Sequence, residues 1–163
     1  MNAGGMLKII LYYGIAVYFV TLPIMLWRLL KVEVKAPVYH TMAILLAPCS
    51  LCLVSDLNVE QNPVQIVVYI LYACVLASLT FVICKLPKFF AFQFAPGFAG
   101  MTFPMAIGIV ASTKMAGYLT NAGNEALGTV VSQISGFQIY LTSMLVGYVL
   151  LNFLIMALKI ERK

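Results

Sequence analysis

Five stretches of the chain run for about twenty residues or more with almost no charge, at residues 6–30, 37–57, 64–84, 95–118 and 131–158. A bilayer's hydrocarbon core is about 30 Å thick, and a helix crosses it in roughly 20 apolar residues. The pattern therefore predicts an all-α integral membrane protein of about five transmembrane helices, forming one transmembrane domain over residues 1–163. Short loops and two short ends are all that remains, too little for a separate soluble catalytic domain. The first stretch does not read as a signal peptide. Its positive charges, Arg28 and Lys31, follow the apolar run, and no small-x-small cleavage site comes after it.

Composition agrees with this pattern. Of the residues 63% are hydrophobic and 9% charged, where a soluble domain carries about 25% charge. The net charge of +5 would suggest nucleic acid in a soluble protein, but here its distribution reads as membrane orientation. Arg28, Lys31, Lys35, Lys85, Lys88, Lys159, Arg162 and Lys163 fall on one side of the five spans, beside Glu33 and Glu161. The other side holds Lys8 and Lys114 with Asp56, Glu60 and Glu125, so eight of the ten basic residues share a side. Short basic loops stay in the cytoplasm, which places the N-terminus outside and the C-terminus inside. That result requires an odd number of spans.

Cys49, Cys52, Cys74 and Cys84 lie in apolar stretches and read as small buried hydrophobes. Cys49 and Cys52 form a C-x-x-C, but a redox pair belongs at an exposed helix N-terminus beside a βαβ unit. A zinc site would need further ligands, and His40 is the single histidine. No metal or other cofactor is expected. No charged side chain lies near the middle of any span, where proton relays and charge-paired substrate sites normally need one. That argues against a pump or a membrane enzyme and is compatible with a weakly binding pore.

The second and fourth spans differ from the third and fifth. Each opens with Ala-Pro (Ala36-Pro37 and Ala95-Pro96), and each carries a proline in its middle, Pro48 and Pro104, which lie 56 residues apart. Interior proline removes a backbone hydrogen bond and displaces the carbonyl four residues earlier, here that of Ile44 or Gly100. The freed carbonyl must find a partner in protein or in a water-lined cavity. The reading is a repeated unit, a kinked inner helix followed by a straight outer one, although Pro23 gives the first, outer span a proline too. On the fourth span Gly97, Gly100, Pro104, Gly108 and Ala111 recur every three or four residues along one helical face. Small residues on one face serve close helix packing or the wall of a pore. In the second case Phe103 is the obstruction, since an apolar constriction gates by excluding water.

Residues 98–112, FAGMTFPMAIGIVAS, resemble the ninth helix of the tellurite-resistance/dicarboxylate transporters, a family that includes the plant slow-type anion channels. Residues 46–53, LAPCSLCL, are similar to the seventh helix of its bacterial members. The resemblance implies ten helices in five hairpins, kinked inner helices around a central pore, and a phenylalanine closing it. The five spans would be helices six to ten, the C-terminal half, with the missing N-terminal half or another membrane chain as partner. By position Phe103 matches the gating phenylalanine, and Pro48 and Pro104 match the inner-helix kinks. Ser50, Gly100, Thr102, Gly108 and Ser112 are candidate lining residues. The implied function is passage of small anions (monovalent ions, C4-dicarboxylates, tellurite or sulfite) across the cell membrane by a multi-pass protein. The complete protein would be a homotrimer in the lipid bilayer, without enzymatic activity and without nucleic acid. The alternative is a truncated, non-conducting fragment that packs against a partner chain.

Overall fold

The computed structural model describes residues 3–31, 42–60, 62–91 and 94–161. The expected opening of the second span at Ala36-Pro37, His40, and the charges at Glu33, Lys35, Arg162 and Lys163 lie outside the described residues. Five α-helices follow one another: α1 (Ala3–Lys31), α2 (Leu46–Val59), α3 (Gln65–Ala91), α4 (Thr102–Asn121) and α5 (Glu125–Glu161). A 3-10 turn at residues 42–45 leads into α2, and a 3-10 segment, Pro96–Met101, leads into α4. Among the described residues there is no strand.

Among the described residues four helices are long and apolar enough to cross a membrane: Gly5–Leu29, Met42–Val59, Gln65–Ala91 and Glu125–Leu158. Four of the five expected spans thus qualify by length and composition. The helix that falls short is α4, within the expected span at 95–118. Its last turns carry Thr113, Lys114, Gly117, Thr120 and Asn121, which lower its apolar content. Two other boundaries move. Helix α3 runs on through Lys85, Pro87 and Lys88, which were expected in a loop. Lys85 lies over the Phe81 ring at 5.7 Å, a geometry that lets the stem stay on apolar surface while the ammonium reaches outward. Helix α5 begins six residues before the expected 131, at Glu125.

That early start follows from how α4 ends. Gly123 takes φ 84°, a left-handed conformation that costs glycine nothing. The Asn124 N–H then donates to the Leu119 carbonyl at 2.9 Å, and the Ala122 N–H donates to Tyr118 at 3.0 Å. These bonds cap the orphan carbonyls of α4 and fold α5 back antiparallel. The two helices close tightly at Gly128, where a Cβ would run into the Thr120 hydroxyl and lie 3.2 Å from the Ala116 carbonyl oxygen.

Helices α2 and α4 lie side by side at the centre, with α1 and α3 against α2, and α5 against α4. On α3 the buried residues are Val68, Leu71, Tyr72, Val75, Ser78, Leu79, Val82, Leu86 and Phe89, the three-four spacing of one packed helical face. Among its described side chains helix α1 buries Leu11, Ile15 and Tyr18 in the core, with Leu22 and Leu29 packed against it. Just 17% of the apolar span is buried in α1, and the same share in α5, so both present long apolar faces suited to lipid. At the far end of the bundle Phe94 stacks on Phe98 at 5.1 Å and meets Phe153 edge-on at 5.2 Å, with Tyr148 6.2 Å away. This cluster ties the 3-10 lead-in of α4 to the second half of α5.

Candidate functional site: the open face of α4 and the cleft at its end

Pro48 and Pro104, expected in the middle of their helices, each occupy the third residue of an α-helix and each follows a 3-10 lead-in. In a first turn the proline nitrogen has no intrahelical acceptor to lose. The change of helix type, from 3-10 to α, comes two residues ahead of each proline.

Helix α4 buries Pro104, Met105, Gly108, Ala111, Ser112, Met115, Ala116 and Leu119. The opposite side, made of Phe103, Ala106, Val110, Thr113 and Gly117, is exposed. These five follow the three-four spacing of a single stripe. Phe103 heads the stripe and is 58% exposed, and no described helix covers it.

The sequence-derived lining residues are divided by this arrangement. Phe103 and Gly100 are exposed, and Thr102 sits beside them with its hydroxyl bonded to the Ala99 carbonyl at 2.8 Å. Gly108, Ser112 and Ser50 lie on the other side, inside the packing of α2, α3 and α4. A Cβ on Gly108 would stand 3.2 Å from Leu46 Cδ2, so that glycine lets α2 approach α4. Ser50 spends its hydroxyl on the Leu46 carbonyl at 2.7 Å, the back-bonding common for serine in apolar helices. Ser112 is fully buried near Tyr72, and neither hydroxyl makes a well-formed hydrogen bond among the described residues. Small residues read as one face thus serve two faces, because the 3-10 segment changes the angular step between Gly100 and Gly108.

Cys49 also lies in that packing, its thiol against the Leu46 carbonyl at 3.1 Å and Ser78 Oγ at 3.9 Å. Among the described residues no group of His, Cys, Asp or Glu is arranged to hold a metal ion.

Two features were missed in the sequence. The first is a polar stripe on α5: Ser135, Gln138 and Thr142 are all buried against neighbouring helices. Ser135 pairs with Thr113 at 2.7 Å, whereas both amide atoms of Gln138 and the Thr142 hydroxyl have no partner among the described residues. Their spacing of three and four residues within an apolar run was the available signal. The second is a cleft of about 670 Å³ where the end of α2, the start of α3 and the end of α4 meet. Thr113, Lys114 and Gly117 belong to its wall, so the Phe103 stripe runs directly into it. Glu60, Asn62, Gln65, Tyr118 and Asn121 complete the polar lining. Lys114 Nζ donates to Asn58 Oδ1 at 2.9 Å. Glu60 is held by Lys8 at 2.6 Å, with the Tyr12 hydroxyl at 3.4 Å. Those bonds require α1 to run antiparallel to α2, and α4 to end on the side where α2 ends.

A family model described as voltage-dependent anion channel matches residues 6–159. No curated protein and no solved structure matches the chain.

Proposed function

The chain belongs to the voltage-dependent anion channel family, and from that premise we propose that the open face of α4 is part of the wall of a membrane pathway for small anions. Family membership and the four long apolar helices make it a multi-pass membrane protein of a channel and transporter class. The resemblance to the tellurite-resistance/dicarboxylate transporters and slow-type anion channels, noted in the Thr-Phe-Pro helix, accords with the family match.

The observation that carries the finer reading is Phe103. A large apolar ring is 58% exposed at the head of a stripe that otherwise presents Ala106, Val110, Thr113 and Gly117, and the stripe opens into a polar cleft. In this reading the small side chains leave room for a hydrated anion, and the Phe103 ring narrows the path by excluding water. Pro48 and Pro104 stand at the heads of the two central helices, where a 3-10 lead-in turns into α-helix beside the path. The basic bias of the loops sets the N-terminus outside, so the cleft faces outward and Phe103 lies deeper, about 16 Å along α4 from Lys114. Selectivity comes from hydroxyl and backbone dipoles, and the passenger is a small inorganic anion or a C4-dicarboxylate.

The uncovered stripe supports a second element of the proposal: the working pathway is completed by further helices, from an N-terminal half or another membrane chain, assembled as a ten-helix unit and a homotrimer. The competing reading is a non-conducting subunit in which the same stripe only packs against its partner. Anion efflux from liposomes distinguishes them. Phe103→Ala in the assembled protein raises conductance if the ring is the constriction, and unchanged conductance removes Phe103 from that role. Flux from the isolated chain would count against the subunit reading.

A further inference from the structure

The cleft at the end of α4 holds an uneven set of charges. Lys114 is a cation whose hydrogen-bond partner among the described residues is a neutral amide oxygen, that of Asn58, at 2.9 Å. Glu60, the acidic residue of the wall, is engaged by Lys8 from α1 at 2.6 Å. Asp56, one turn earlier on α2, is 2% exposed and is not part of the wall. The positive charge on the wall is therefore left without a countercharge of its own, while the negative one is neutralised from a helix that does not line the cleft. Around Lys114 the side-chain amides of Asn62, Gln65 and Asn121 can turn N–H donors inward.

We propose that Lys114 and these amides form an anion-capture site in the cleft, and that the Lys8–Glu60 pair keeps it attractive to anions by cancelling the one carboxylate among the described residues of its wall. The inference rests on the anion-transport reading above and adds where the anion is first held. A small mono- or dicarboxylate or a halide fits the chemistry, being recognised by one ammonium and neutral N–H donors in a cleft of about 670 Å³. Field lines in a cleft with low-dielectric walls raise the local concentration of the attracted ion and its entry rate. A unit charge at several ångströms in water changes that concentration roughly threefold.

The test uses the assembled protein in proteoliposomes, with chloride influx read by a trapped halide-quenched dye. Influx is compared at about 0.01 M and about 0.15 M ionic strength, between which the screening length falls from about 30 Å to about 8 Å. At low ionic strength Lys114→Gln is expected to slow influx roughly threefold, Lys114→Arg to preserve it, and Lys8→Gln to slow it by exposing Glu60. The double variant Lys8→Gln/Glu60→Gln is expected to restore the wild-type rate, which a merely structural ion pair would not do. All differences should shrink at the higher ionic strength. A second arm needs no flux: malonate should protect Lys114, and not Lys8, from acylation in the detergent-solubilised chain, read by mass spectrometry, with protection lost in Lys8→Gln and regained in the double variant. Protection without flux would leave the capture site standing and remove the transport reading. Normal flux with Lys114→Gln indistinguishable from wild type at low ionic strength, or a double variant as slow as Lys8→Gln, would overturn the capture site.

Discussion

Replacing Gly128 by alanine sets two effects of similar size against each other. Alanine is the better helix former, by about 0.8–1.0 kcal/mol in a helix interior, and Gly128 lies in the first turns of α5. Against this, the added Cβ would collide with the Thr120 hydroxyl and lie 3.2 Å from the Ala116 carbonyl oxygen and 3.3 Å from the Thr120 nitrogen. The hydroxyl can rotate away only by giving up its 3.0 Å bond to the Ala116 carbonyl, and the two backbone atoms cannot rotate at all. Overpacking of this kind costs about 1–3 kcal/mol, so the clash wins and Gly128→Ala destabilises by about 1 kcal/mol. Gly136, two turns on in the same helix, has open space where its Cβ would be. There the propensity term acts alone, and Gly136→Ala stabilises by up to about 1 kcal/mol. Adding Thr120→Ala to Gly128→Ala removes the worst contact and recovers part of the loss. Thermal unfolding in detergent measures this, followed with a thiol-reactive dye that reaches buried Cys49 as the helices separate. If Gly128→Ala and Gly136→Ala raise the melting temperature alike, α4 and α5 do not approach as closely as described, and the reasoning fails.

Gln138→Met replaces a fully buried amide whose two polar atoms have no partner among the described residues. It should raise the stability of the isolated chain by about 1 kcal/mol, since unpaired buried polar groups cost about 1–3 kcal/mol each and membrane helices recover part of that. A lower melting temperature would mean that the amide is satisfied after all. Phe94→Ala removes ring contacts to Phe98, Tyr148 and Phe153 and should cost about 1–2 kcal/mol in the same melt. Because the cluster holds the lead-in of α4, Phe94→Ala should also disturb transport, where Phe137→Ala on the exposed apolar face of α5 should not. Equal effects of the two would mean that the cluster does not position α4.

Much of the architecture was legible in the chain itself. Uncharged runs long enough for a bilayer fix where most of the helices lie, because backbone polar groups in lipid can be satisfied only within the segment. Pro48 and Pro104 marked two helices with alike starts, since proline restricts its own turn whatever surrounds it. The Thr-Phe-Pro helix carried the family. What could not be read was which side of each helix meets a neighbour. Gly108 and Gly100 are equally small, yet one lets Leu46 approach and the other stands open. Ser50, Ser112 and Thr102 are alike as hydroxyls, yet only tertiary packing buries the two serines. Hydropathy, which sets α4 below the other helices, could not show that its exposed side runs into the cleft. Nor could any linear pattern join Lys8 to Glu60 or Lys114 to Asn58. Periodicity and charge are local properties that the chain states directly, whereas the partner of a side chain depends on where distant helices stop, and that is decided only once they pack.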